Sequence, residues 1–214
     1  MQDIGLATAL RAPVQGRSRQ SYDRMMSAAE NLLSTRGSGD FTLNEVSRAG
    51  KVSIGSIYNR FESKDALLHA VQLRVLDRVD REMTDRLDAA IASYSGLDHL
   101  VSRLIDALAE TLKKHADLMR PLMQIASIDE QVSVTGKASY NKTATSFRTA
   151  ILDHRDEIAR PDANRAVDTS FRIAYAAVAR YLGFGSATTA AWEGDWDVLK
   201  EDLAIMVAAF LRTG

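Results

Sequence analysis

Apolar residues recur every three to four positions along most of the chain, and no stretch alternates with the period of two that a strand requires. The pattern predicts about nine helices. The first runs from about Ser18 to Arg36, with Met25, Ala28, Ala29, Leu32 and Leu33 on one face and Gly37 placed to end it. Two short helices follow within Thr42–Phe61. A long stripe then begins at Ser63 (Leu68, Val71, Val75, Val79, Met83, Leu87, Ile91) and stops near Tyr94–Gly96. Further helices are expected over Leu97–His115, Asp117–Ile128, Asp129–Arg155, Asp162–Leu182 and Asp195–Arg212. Pro121 is read as lying in a first turn, where proline is tolerated, and Pro161 as a boundary.

Thr42–Leu68 carries the sharpest signals. Thr42 and Glu45 have capping-box spacing, with Phe41 and Val46 as a hydrophobic staple. Ser53 can cap a second short helix, with Val52 and Ile57 as its staple, and Ser63 a third, with Asp65 in its first turn. Gly50 and Lys51 stand between the first two. Two short helices joined by a three- or four-residue turn form a helix-turn-helix. Leu43, Val46, Ala49, Val52, Ile57 and Phe61 make its buried side. Ile54, Gly55, Ser56, Asn59 and Arg60 leave a small, polar, basic face suited to a major groove.

At these residues the chain resembles the TetR family of transcriptional regulators. The family pattern T-x-x-x-[IV]-A-x-x-A-G-V-S-x-G-[ST]-[LI]-Y-x-[HYR]-F-x-[SN]-K-[DE]-x-L is met at Thr42, Val46, Val52, Ser53, Gly55, Ser56, Ile57, Tyr58, Arg60, Phe61, Ser63, Lys64, Asp65 and Leu67. Among its departures, Ser47 replaces a small alanine, and Lys51 occupies the place of the turn glycine, one residue after Gly50. A left-handed lysine costs about 1–2 kcal/mol. Either the turn shifts to use Gly50, or Lys51 accepts the strain and offers its ammonium to a phosphate.

The resemblance implies an all-α chain with an N-terminal three-helix DNA-binding domain and a C-terminal helical domain for ligand binding and dimerisation. The boundaries expected are a flexible arm over residues 1–16, the helix-turn-helix domain over 17–66 and the effector and dimerisation domain over 67–214. Arg11, Arg17 and Arg19 are candidates for phosphate or minor-groove contact, or belong to a solvated tail. Lys51, Ser53, Ile54, Gly55, Ser56, Tyr58, Asn59 and Arg60 are expected at the DNA, with Thr42, Tyr58 and Lys64 as phosphate positioners. Gly55 allows close backbone approach, and Arg60 or Asn59 could read guanine or adenine edges.

Charge refines this picture. Net charge is −1, which alone argues against nucleic acid, yet residues 1–64 hold nine Lys/Arg against six Asp/Glu and the remainder is net −4. With 214 residues, the chain can bury a substantial core. There is no cysteine, so disulfides and thiolate metal sites are excluded, and the opening MQDIGLATALRAP lacks the basic start of a secretory leader. The longest purely apolar run, residues 204–211, is far too short to span a bilayer. A cytoplasmic protein without membrane attachment is the expectation.

The last two helices are apolar on more than one face (Ala174, Ala176, Ala177, Val178, Ala179; residues 204–211). Such helices are buried on two sides, either inside one subunit or against a partner, and the resemblance favours a homodimer through this pair. Met119, Met123, Phe147, Ile151, Phe171 and Tyr175 are large, adaptable side chains on different helices. They are candidates for an effector pocket as well as for plain core. His69, His99, His115 and His154 lack the spacing of a metal site, and no nucleophile elbow, P-loop or dinucleotide motif appears. Gly183-Phe184-Gly185 is read as a helix end. No catalytic residue, cofactor or metal is expected. The reading is a homodimeric repressor released from a pseudo-palindromic double-stranded operator by a small, largely apolar or aromatic effector. A regulator that activates or works through a protein partner, and an all-α scaffold without DNA binding, are the alternatives.

Overall fold

Short polar residues stand at the start of helix after helix in the computed structural model, which describes residues 6–185 and 194–214, the first twelve of them by backbone alone. The described residues form nine α-helices: α1 (Leu6–Arg36), α2 (Leu43–Gly50), α3 (Ile54–Tyr58), α4 (Lys64–Ala92), α5 (Leu97–Lys114), α6 (Ala116–Ile125), α7 (Glu130–Leu152), α8 (Ala163–Tyr181) and α9 (Trp196–Arg212), with one 3-10 turn at Arg155–Glu157. Thr42, Ser53, Asp129, Asp162 and Asp195 each accept a first-turn amide with their side-chain oxygen. The chain divides into two compact units, Met1–Leu73 and Arg74–Gly214.

In the first unit α1 packs on α2, and α2 on α3. Met25, Met26, Ala29, Leu33, Phe41, Val46, Ile57 and Phe61 fill its core. The expected buried set holds except at Ala49, which is exposed. The inward position beside it belongs to Gly50, where α2 meets α1. A Cβ on Gly50 would lie 3.0 Å from the Arg24 carbonyl oxygen and 3.4 Å from the Ala28 Cβ. Gly50 is therefore spent on close helix approach and is not the left-handed residue.

That conformation falls on Lys51, with φ 50° and ψ 47°. The Val52 amide donates to the Ser47 carbonyl at 3.1 Å and the Lys51 amide to the Arg48 carbonyl at 3.3 Å. This is the pairing of a Schellman cap, normally built on glycine. The Ser47 hydroxyl answers by donating to the Val52 carbonyl at 2.6 Å. Ser47 and Lys51, both departures from the family pattern, thus meet in one turn: serine ties together the two ends of the loop that lysine strains.

Two boundaries differ from expectation. α1 begins at Leu6, upstream of Ser18, and takes in most of the stretch expected as an arm. Ala7, Ala9, Leu10, Arg11 and Ala12 are good helix formers, but they show no apolar stripe, so periodicity passes over them. The calls on residues 1–5 and on the side chains of Arg11 and Arg17 lie outside the described residues. Pro121 sits in the interior of α6 rather than its first turn, because α6 starts at Ala116.

In the second unit α5 is the axis. Leu97, Leu100, Val101, Leu104, Ile105, Leu108 and Leu112 are buried along it, and α6, α7, α8 and α9 pack against it. Polar ties close the helix ends. Arg120 Nε donates to the Leu182 carbonyl at 2.7 Å, and Arg160 Nε to the Phe210 carbonyl at 2.7 Å. Gly183, at φ 71°, ends α8 with Phe184 N–H on the Ala179 carbonyl. Gly96 gives α5 no side-chain cap, so Glu157 Oε2 takes the Leu97 amide at 3.1 Å.

Lys51→Gly should stabilise the chain by about 0.5–1 kcal/mol, the relief of left-handed strain less the entropy glycine adds to the unfolded state. Gly50→Ala should destabilise it by roughly 1 kcal/mol through overpacking against the Arg24 carbonyl. Ser47→Ala should cost about 1 kcal/mol for its lost hydrogen bond. Urea denaturation of the three variants checks all three signs.

Candidate functional site

α3 presents the exposed face that the sequence predicts. Ile57 is fully buried and Val52 and Phe61 nearly so, so the opposite side, with Ser53, Gly55, Tyr58, Asn59 and Arg60, is exposed. Ile54 and Ser56 are half-buried. Tyr58 is 59% exposed, unusual for a large aromatic. A Cβ on Gly55 would meet nothing within 4 Å. The fold has no use for a glycine there, although glycine inside a helix costs up to about 1 kcal/mol against alanine.

The candidate DNA residues fall into two groups. Lys51 and Asn59 are exposed, and Tyr58 projects its phenol. The others are already committed. Thr42 Oγ1 accepts the Glu45 amide at 3.2 Å and donates to Glu45 Oε2 at 2.9 Å, while the Thr42 amide donates to the same carboxylate at 2.8 Å. Ser53 Oγ caps α3 and lies 2.8 Å from Ser56 Oγ. Arg60 Nη2 donates to the Ser18 carbonyl at 3.0 Å and hydroxyl at 2.7 Å, tying α3 back to α1. Lys64 Nζ donates to the Gly39 carbonyl at 3.1 Å and stands over the Phe41 ring. Arg60 and Lys64 thus hold the unit together as they stand.

Glu45 links these parts. It closes the capping box with Thr42 and pairs with Arg36 at 2.6 Å. Arg36, then the Thr42 donors, hold its carboxyl down to about 2.

The second unit contains a cavity of about 250 Å³. Leu76, Val79 and Met83 of α4, Leu112 of α5, and Met119 and Met123 of α6 give it apolar walls. Ser133, Gly136, Lys137, Tyr140 and Thr143 of α7 face them, with Tyr175 of α8. Of the residues expected in a pocket, Met119, Met123 and Tyr175 line it. Phe147, Ile151 and Phe171 do not. They are buried core: the Phe171 ring lies tilted 5.3 Å from Phe147 and 5.4 Å from Tyr140, backing the cavity wall. Tyr140 and Tyr175 meet edge to face at 4.8 Å. Burial, then the neighbouring Tyr140, pushes the Tyr175 phenol up to about 12. The α4 and α7 linings escape sequence reading because α4's apolar stripe looks like ordinary core and α7's polar residues look solvated.

Glu82 of α4 accepts from Lys114 at 2.8 Å, His115 Nε2 at 2.9 Å and Arg86 at 3.1 Å. Burial raises its carboxyl, but the three donors outweigh it and hold it down to about 2. Among the described residues no cluster of three or more His, Asp or Glu side chains could hold a metal, and no helix is long and apolar enough to cross a membrane.

Because Glu45 titrates lower folded than unfolded, its stabilisation is complete above about pH 4.5 and is lost as pH falls towards 2. Glu45→Gln should therefore be less stable than the wild type at pH 6, with the gap closing between pH 4.5 and 2. Urea midpoints at a series of pH values check this, and a gap constant across that window would contradict it.

Residues 25–71 match the family model described as bacterial regulatory proteins, tetR family. The chain is 35% identical over 72 residues to the HTH-type transcriptional regulator AlkX of Mycobacterium tuberculosis, which is 34% of this chain and 34% of that protein. It is 34% identical over 85 residues to the HTH-type transcriptional regulator HbdR of an Aromatoleum species, 40% of this chain and 34% of that protein. The matched region spans about a third of the length of these curated relatives. The crystal structure of a TetR-family transcriptional regulator from Mesorhizobium loti superposes with a TM-score of 0.69 at 19% identity, over 91% of this chain and 96% of that one. The sequence match to the tetR family lies over the helix-turn-helix, residues 25–71, and the fold match to a TetR-family structure runs over nearly the whole length.

Proposed function

We propose that the chain is a sequence-specific DNA-binding transcriptional repressor, active as a homodimer and released from its operator by a small molecule held in the cavity. The observation that carries the DNA reading is Gly55. It lies on the exposed face of α3, where a side chain would touch nothing in the protein. A glycine that the fold does not need, on a helix seated to project outward, suits close approach of a DNA backbone. Lys51 offers an ammonium to phosphate, Tyr58 a hydroxyl, and Asn59 an amide that can pair with adenine. Arg60 and Lys64 serve first as positioning groups, since each already binds a backbone carbonyl. Both curated relatives carry names of transcriptional regulators.

The dimer reading rests on α8 and α9. They pack on each other, yet leave Ile173 52%, Ile205 60% and Met206 61% exposed. Several large apolar side chains in water on adjacent helices mark an interaction surface. A two-fold pairing through it would present two copies of α3 to a pseudo-palindromic site. Effector binding would shift the dimer towards a form whose α3 spacing no longer fits the half-sites, by no more than its differential affinity for the two forms. Such a protein works in the cytoplasm.

Gly55→Ala should raise stability by about 0.5–1 kcal/mol by helix propensity, and at the same time weaken binding to duplex DNA from upstream of its own gene at least about tenfold through backbone clash. Thermal melts and mobility shifts on one preparation read both. A stabilised variant with undiminished DNA binding would remove Gly55 from the interface. Ile173→Glu combined with Met206→Glu should convert dimer to folded monomer by light scattering; a persistent dimer would place the interface elsewhere.

A further inference from the structure

The cavity is apolar with one exception of charge. Lys137 of α7 is the sole ionic side chain in its lining. Lys142, on the same helix, pairs with Asp80 at 3.3 Å, and Lys114 pairs with Glu82 at 2.8 Å. Lys137 pairs with no carboxylate among the described residues, and the carboxylate nearest in sequence on its own helix, Glu130, lies two turns away. One turn on from Lys137, Tyr140 points its ring against Tyr175. Neither phenol makes a hydrogen bond among the described residues, although both rings are only partly exposed. A cavity that already has apolar walls of leucine, valine and methionine thus also holds an unanswered cation and two unanswered hydroxyl donors.

A hydrogen bond between a charged donor and a charged acceptor is among the stronger ones available. We infer that the cavity takes an anionic amphiphile, a carboxylate on an apolar body, with its head group at Lys137 and its body against Met83, Met119 and Met123. This deepens the effector reading given above and rests on it. A volume of about 250 Å³ suits a medium-length chain. Methionine walls adapt to a flexible chain without a fixed shape. Tyr175, a neutral phenol at neutral pH, supplies a hydroxyl rather than a competing negative charge. A cationic ligand would meet Lys137 with no carboxylate in the lining to offset it, and a neutral one would leave Lys137 unanswered.

The test uses three probes of equal chain length, decanoate, decan-1-ol and decyltrimethylammonium, on the full chain, with calorimetric affinity and thermal shift as readouts. Decanoate should bind at least about tenfold more tightly than decanol, and the cation should not bind measurably. Lys137→Met should reduce decanoate affinity to the level of decanol and leave decanol unchanged. Tyr175→Phe should weaken decanoate by a smaller factor. Because Lys137 is exposed, its variant keeps the fold, and an unchanged melting temperature without probe verifies that. Decanol binding as tightly as decanoate, or decanoate affinity surviving Lys137→Met, would overturn the anionic head group while leaving the cavity as a ligand site. No binding of any probe, with a cavity-filling Met119→Trp variant melting no differently in their presence, would overturn the cavity reading itself and the inference with it.

Discussion

Everything the first unit offers to DNA depends on one reciprocal pair of hydrogen bonds across a six-residue turn. The Val52 amide reaches the Ser47 carbonyl, and the Ser47 hydroxyl reaches the Val52 carbonyl. Between them Lys51 is held left-handed. The turn fixes the direction in which the chain leaves α2, and Val52 and Ile57 then dock α3 on the core. A side chain with Cβ in this conformation is strained by about 1–2 kcal/mol. The serine supplies a hydrogen bond of similar size, so strain and brace roughly cancel. What remains is an exposed ammonium just before α3, which glycine could not provide.

Gly50 and Gly55 show how two glycines close in sequence answer to different constraints. At Gly50 the constraint is internal, a carbonyl of α1 at the distance where a Cβ would press on it. At Gly55 nothing in the protein presses, and the space beside it is open. The charged groups divide in the same way. Arg60 and Lys64 are bound to backbone carbonyls and maintain the unit's shape, whereas Lys51, Tyr58 and Asn59 extend outward.

Much of this was legible in the chain. Capping residues at Thr42 and Ser53, and Gly37 and Gly183 as helix ends, are local chemistry that acts within one turn, so reading them needs no tertiary knowledge. The helix-turn-helix core also follows from spacing, except at Ala49, where the close approach of α1 favours burying Gly50 instead. What stayed hidden depends on partners distant in sequence. α1's early start rests on propensity without a stripe. The cavity is assembled from α4 to α8, and pattern alone cannot separate a core-facing from a cavity-facing apolar residue. Phe147, Ile151 and Phe171, which carry no polar atom, went to the core, where apolar side chains gain most. Lys137 and Tyr140, which the sequence pattern does not single out, line the cavity.

The central claim is that α3 is a helix held outward to enter duplex DNA. Hydrogen–deuterium exchange of the full chain, with and without duplex DNA from upstream of its own gene, examines it most directly. Slowed exchange confined to peptides covering residues 42–64, strongest over 53–60, is the result this account predicts. Protection elsewhere with residues 53–60 unchanged would contradict it.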